Sequence, residues 1–379
     1  MQKRHVLTTC AVAVLAAAAN AQAAEVQIYG LIDTGLSFTS VDADNGAGRN
    51  DSLSMGQSQL APNRWGFRGT EDLGNGFKVG FNLEGQFASD TGTMTGNRIF
   101  HRTAQVSLIS EQYGTLNLGR SGALRSGFGT TGIWNPKTNP FSNSAGSFIA
   151  GHKYIMPGGF KAIDNAITYQ SPVWAGAQLH LQYSSDNDSV SNTDGVENKD
   201  SANRQWGVGL TYANGPLKVV AILDSVLYET NGTNPERAMA FSAEADYNFD
   251  VAKIYVAGMW FDDMKSSEFQ GHVFNSKNWL TTLNAKGGWE GYTLELGADV
   301  PMAGGTFKAN LGWMDAEGSE DSSIKTDRMS VGVGYVYPLS KRSQLYTAAG
   351  YIRDSYESTT QKEVNPDAYE VIVGVLHRF

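Results

Sequence analysis

The chain has 379 residues, a formal net charge of −9, and 18% charged against 41% hydrophobic residues. Its 43 Gly and 10 Pro follow no Gly-X-Y period, which excludes a collagen-like chain, and 11% aromatics exclude a disordered linker. The acidic balance excludes a bulk nucleic-acid binder, and no later apolar run approaches the length of a membrane-spanning helix.

Residues 1–23 read as a secretory signal. Lys3 and Arg4 form its positive start, Val6 to Ala19 its apolar stretch, and Ala21-Gln22-Ala23 its cleavage site. The mature chain, 24–379, is expected to begin near Ala24. Cys10, the only cysteine, falls in the signal, so no disulfide or thiolate metal site is expected. Without Lys3 and Arg4 the 29 basic residues become 27 against 38 acidic ones, a charge of −11.

From there the pattern is period two. Phe77, Val79, Phe81, Leu83 and Phe87 alternate with Lys78, Asn82, Glu84 and Gln86. Leu179, Leu181 and Tyr183 alternate with Gln178, His180, Gln182 and Ser184. Trp206, Val208, Leu210 and Tyr212 oppose Gly207, Gly209 and Thr211. The same holds from Tyr292 to Asp299, Phe307 to Trp313 and Met329 to Tyr337. Each is a strand with one apolar and one polar face.

Short connectors fall at 71–76, 111–114, 171–176, 214–216, 249–252, 301–305 and 338–342. Long ones fall at 40–62, 90–101, 122–162, 185–203, 229–237, 263–286, 317–326 and 356–367. Together they join sixteen strands, with short turns at one end and long loops at the other, the signature of an all-β, antiparallel transmembrane barrel. A soluble sandwich or propeller would have strands of about 5–6 residues and apolar faces meeting in a core. Here the opposite faces carry Gly, Asn, Gln and charges, which suits a polar interior. Interfacial girdles would account for Tyr29, Phe38, Trp206, Tyr212, Tyr247, Trp260, Phe261, Trp289, Tyr335 and Tyr337 at strand ends.

Five segments carry a resemblance. They are Val26-Gln27-Ile28-Tyr29-Gly30, Arg64 to Gly74 (RWGFRGTEDLG), Tyr113 to Arg120 (YGTLNLGR), Asp164 to Pro172 (DNAITYQSP), and an end in Phe379 after Val371, Val373 and Val375. Together they resemble the general outer-membrane porins of Gram-negative, β-proteobacterial type, over the whole mature chain. The resemblance implies a homotrimer of sixteen-stranded barrels in the cell outer membrane, each with its own water-filled channel for small hydrophilic solutes. It implies a long third loop, here 122–162, folded into the lumen opposite a cluster of basic wall residues. The terminal Phe379 resembles the signal read by the outer-membrane assembly machinery.

A pore needs a wet lumen and a field. With Trp65 and Phe67 outward, Arg64 and Arg68 point inward. The resemblance carries a wall-arginine role onto Arg64 and Arg68, and places another inward arginine at Arg102, which opens the fourth strand; Arg120 ends the fifth strand, enters the long loop and is counted with the constriction. Asp33 and Glu84 point inward on neighbouring strands, each placed to neutralise one arginine. Where the family often has an arginine before the sixth strand this chain has Ala162, and Lys161 beside it points differently by alternation. Between Arg120 and Asp164 there is no acidic residue. A weak anion preference is therefore expected, despite the acidic chain.

The alternative is a substrate-specific channel for an anion or a sugar, with Phe128, Trp134, Phe141 and Phe148 as an aromatic slide. An enzyme is not expected: of the five remaining histidines His180 is the best-placed, and a pore-lining role suits it better. No cofactor is expected. Divalent cations bridging lipopolysaccharide are the sharper reading of the acidic loops around Asp186, Asp188, Asp194, Glu197 and Asp200, and around Glu317, Glu320 and Asp321. With Arg102 inward on its strand, Thr103, Gln105 and Ser107 would face outward, where a subunit interface would cover them.

Overall fold

A computed structural model of the chain describes residues 25–134, 139–141, 145–149, 155–159, 161–191, 195–229, 237–269, 287–358 and 361–379. The signal sequence and Asp194 lie outside the described residues. The strands in chain order are β1 (Glu25–Asp42), β2 (Arg49–Gln57), β3 (Arg64–Gly74), β4 (Phe77–Gln86), β5 (Thr103–Ser110) and β6 (Gly114–Gly122). There follow β7 (Ala162–Gln170), β8 (Ala177–Ser184), β9 (Arg204–Asn214), β10 (Leu217–Leu227), β11 (Arg237–Asn248) and β12 (Lys253–Met264). The last are β13 (Trp289–Met302), β14 (Gly305–Gly318), β15 (Lys325–Pro338), β16 (Ser343–Ser358), β17 (Gln361–Val364) and β18 (Asp367–Arg378).

These eighteen segments make sixteen staves. β1 pairs with β3 from Glu25↔Thr70 to Leu31↔Arg64, and with β2 from Thr34↔Gln57 to Asp42↔Arg49. β2 and β3 are therefore two halves of one stave. β17 and β18 likewise pair with the same neighbour, β16. Consecutive staves are antiparallel throughout, and β1 closes on β18 from Leu31↔Arg378 to Asp42↔Asp367. Closure leaves the ring without a free sheet edge, which a lipid environment demands.

The alternation sets the two faces. Leu294, Leu296, Leu311, Val371 and Val373 stand exposed on the outside, while Glu244, Thr293, Asn310 and Glu370 are buried inside. The seven short connectors are tight turns as expected; at 74–76, Gly74, Asn75 and Gly76 all take positive φ, the conformation such turns need.

Four expectations are corrected. The stretch 40–62 is mostly strand, since β1 runs to Asp42 and β2 occupies Arg49–Gln57. Strand also enters 356–367. Thr103, Gln105 and Ser107 point inward, because Arg102 precedes β5 and the alternation restarts at Thr103; Val106 and Leu108 face out. The argument from exposed polar groups to a subunit interface therefore fails. Finally, Tyr29, Phe261 and Trp289 are not girdle residues: Phe261 and Trp289 are fully buried, and Tyr29 hydrogen-bonds to Glu84.

The apolar core sits where the 123–161 connector meets the wall. Leu124, Ile133, Trp134, Ile155 and Met156 cluster with Ile222, Met259, Phe261, Trp289 and Met314. Phe141, Ala145 and Ile149 cluster with Tyr346, Ile372 and Leu376. Inward glycines make room for this contact: a Cβ on Gly312 would lie 2.5 Å from Ile155, and one on Gly350 2.7 Å from the Ile149 backbone.

Candidate functional site

A cavity of about 970 Å³ opens in the half of the lumen nearer the tight turns. Arg64 and Arg68 from β3, Glu84 from β4, Arg102 just before β5, Arg342 from the β15–β16 turn and Arg378 from β18 all line it, with Phe128 and Phe379. Of the seven residues named from sequence, the fold brings Arg64, Arg68, Arg102 and Glu84 together here.

Arg102 and Glu84 form a buried pair. The Arg102 Nε donates to Glu84 Oε1, its Nη1 donates to Gln86 at 3.1 Å, and its guanidinium lies 4.0 Å from the Phe128 ring centre. Tyr29 donates to the other Glu84 oxygen at 3.0 Å. This arginine is thus largely neutralised. Arg68 is held by Gln27 at 2.8 Å and by the Tyr29 ring, and among the described residues it is in no ion pair.

Asp33 does something other than neutralise an arginine. Its carboxylate accepts from the backbone N–H of Leu60 at 2.6 Å and of Ala61 at 2.7 Å, and from the Tyr346 hydroxyl at 2.5 Å. These bonds satisfy the 58–63 break between β2 and β3, where ladder pairing stops.

Arg120 and Lys161 are placed elsewhere. Arg120 donates to Asp164 at 2.5 Å and to the His101 carbonyl at 2.7 Å, and Arg98 holds the same Asp164 at 2.7 Å while reaching Asp188 at 2.9 Å. This network ties the 87–102 connector to the loop end of the barrel. Lys161 pairs with Glu268 at 3.0 Å. Burial and the neighbouring Arg120, Arg102 and Arg98 push His101 below the usual histidine range.

The described parts of the 123–161 connector are fastened to inward wall residues. Arg125 makes a two-bond fork with Asp224 on β10, Asn139 donates to Glu295 on β13 at 3.3 Å, and the N–H groups of Ser147 and Phe148 donate to Glu370 on β18. On the wall across from the arginines, β11–β13 carry Glu244, Asp246, Glu295 and Asp299. Asp246 lies 3.0 Å from Lys253, and Asp299 2.9 Å from Lys308.

Sequence reading missed Arg342 and Arg378. The signal for Arg378 was present, since outward Val371, Val373 and Val375 put even positions inward; Arg342 sits in a turn, where alternation says nothing. Among the described residues no three of His, Cys, Asp and Glu converge as metal ligands. Asp188 pairs with Arg98, and Asp200 with Arg204.

A closed barrel, apolar outside and lined by charges within, defines a membrane channel. The profile of the family described as "Gram-negative porin" matches residues 8–356, and the chain belongs to that family. It is 30% identical to an outer membrane porin protein of Bordetella pertussis, over 98% of this chain and 99% of that one. It is 31% identical to outer membrane porin protein 32 of Delftia acidovorans, over 92% and 90%. In fold it resembles an anion-selective porin from Comamonas acidovorans, with a TM-score of 0.69, 24% identity, and 94% and 100% of the two chains covered. The protein is an outer-membrane porin, a channel rather than an enzyme by its family.

Proposed function

We propose that this porin passes small hydrophilic solutes by diffusion and prefers anions weakly, with its selective region around Arg64, Arg68 and Arg102. The carrying observation is the charge of the turn-side cavity: five arginines line it against the Glu84 carboxylate, already held by Arg102, and the terminal carboxylate of Phe379. In a passage with low-dielectric walls these local charges are screened less than those of the solvent-exposed outer loops, which act over a Debye length of about 8 Å at physiological salt. The relative from Comamonas acidovorans, described as anion-selective, agrees in sign. In this reading the 122–162 connector is the constriction loop, and the mature chain starts after a cleaved signal of residues 1–23. Liposome swelling tests the function. A small organic anion should enter faster than a cation of equal size, and the reverse order would contradict it.

The oligomer in this reading is a homotrimer, assembled through machinery that reads Phe379 and set among lipopolysaccharide. Stave length supports an interface. β5 to β8 are 8–9 residues long, against 14–16 for β13 to β16. Eight residues span roughly 26 Å along the strand and, tilted by ~40°, only about 20 Å of height, short of an apolar band of about 25 Å. Contact with another subunit would cover that low wall.

A further inference from the structure

We propose that the turn-side lumen contains a saturable binding site for small multivalent oxyanions, built by Arg64, Arg342 and Arg378. The inference rests on the anion-preferring reading and adds to it a bound state at a defined place.

The fold matches each deeply buried arginine with a carboxylate. Arg102 has Glu84, Arg125 has Asp224, and Arg328 has Asp354 at 2.5 Å. Arg64, which is half-buried, and Arg342 and Arg378, which are exposed to the lumen, have no such partner. They line one cavity, and among the described residues none is in an ion pair. The nearby Asp33 is saturated by Leu60, Ala61 and Tyr346. Arg64 and Arg378 repel each other, with only Asp33 and the Phe379 terminal carboxylate nearby as counter-charge, and an anion that bridges the arginines relieves the repulsion.

The backbone that carries two of these groups is clamped. The Arg378 N–H donates to the Arg342 carbonyl at 2.8 Å, and Phe379 and Gly30 exchange two hydrogen bonds of 3.1 Å. The Phe379 ring covers Gly30, where a Cβ would sit 2.1 Å from it. The C-terminus thereby fixes Arg378 beside the β15–β16 turn. Guanidinium forks bind carboxylate or phosphate oxygens two at a time. A multivalent oxyanion reaches two or three of them at once, whereas chloride meets one. A volume of about 970 Å³ admits such a solute with part of its water.

The test is single-channel recording in KCl with citrate or inorganic pyrophosphate added to either side. The wild type should show block that saturates with concentration, with faster onset from the side of the tight turns. Arg342→Gln and the double variant Arg342→Gln/Arg378→Gln should raise the half-blocking concentration about tenfold or more, as expected for losing a charged hydrogen bond. Arg342→Lys should recover part of it. Block by pyrophosphate alone would assign a phosphate-like ligand, and equal block a general oxyanion site. Arg342→Gln lies in a turn, so the test survives if the double variant does not assemble. Linear, non-saturating inhibition, or saturable block unchanged in Arg342→Gln, overturns the site while leaving anion preference intact. A cation-preferring wild type instead overturns the selectivity reading beneath it.

Discussion

Arg125 and Asp224 are joined by two hydrogen bonds, Nε to Oδ2 at 2.6 Å and Nη2 to Oδ1 at 3.0 Å, both groups almost wholly buried. The same guanidinium donates to the Pro157 carbonyl at 2.9 Å. One side chain therefore ties the start of the 123–161 connector to its end and to the β10 wall. Removing one partner leaves a buried charge uncompensated, at a cost of about 3–5 kcal/mol. Asp224→Ala should lower the thermal unfolding temperature and make single-channel current noisier. Replacing both by apolar residues, Arg125→Met with Asp224→Leu, should restore most of the stability but not the quiet current.

The Arg102–Glu84 pair predicts opposite effects from its two members. Glu84→Gln removes the counter-charge and should strengthen chloride preference. Arg102→Gln leaves Glu84 buried with only Tyr29 as its partner, so chloride preference should weaken, and stability should fall by about 3–5 kcal/mol. Zero-current potentials and thermal melts of the two variants in one detergent check both signs.

Gly312 and Gly350 are contact points for the connector, so size there should act on the pore without opening the barrel. Gly312→Val and Gly350→Val have their side chains facing the lumen, where Ile155 and Ile149 must retreat. Circular dichroism should stay β-rich while single-channel conductance falls. Unchanged conductance in both variants would detach the connector from the permeation path.

His101 gives a pH dependence at the loop end. Its pKa lies below the ordinary histidine value of about 6.5 through burial and the repulsion of Arg120, Arg102 and Arg98. The unfolded chain then takes up this proton first. Stability from the group is intact above the unfolded value and is lost as pH falls below it, until the folded value is reached. Between pH 7 and pH 5 the wild type should lose more thermal stability than His101→Gln, whose side chain does not titrate.

The staves were legible because a membrane barrel imposes strict alternation on its sequence, and Phe77 to Phe87 shows it plainly. β2 was not, because Arg49 to Ser54 is polar on both faces except for Leu53, as suits a segment paired only with β1. The inward turn of Thr103, Gln105 and Ser107 was hidden by a restart of alternation after Arg102. Of the site, Arg64, Arg68, Arg102 and Glu84 were readable from parity and resemblance. Asp33 was readable as inward, but its backbone partners Leu60 and Ala61 belong to a break that periodicity does not announce. The carboxylates across the lumen, Glu244 and Glu295, lay on strands, while attention to acids fell on the connector.

The central claim, that local arginines set selectivity against an acidic chain, is tested most directly by the zero-current potential across a planar bilayer under a KCl gradient. The wild type should show a modest chloride preference. Arg64→Ala should reduce it, because Arg64 lines the cavity with no carboxylate paired to it among the described residues. A clear potassium preference in the wild type, unchanged in Arg64→Ala, would contradict the account.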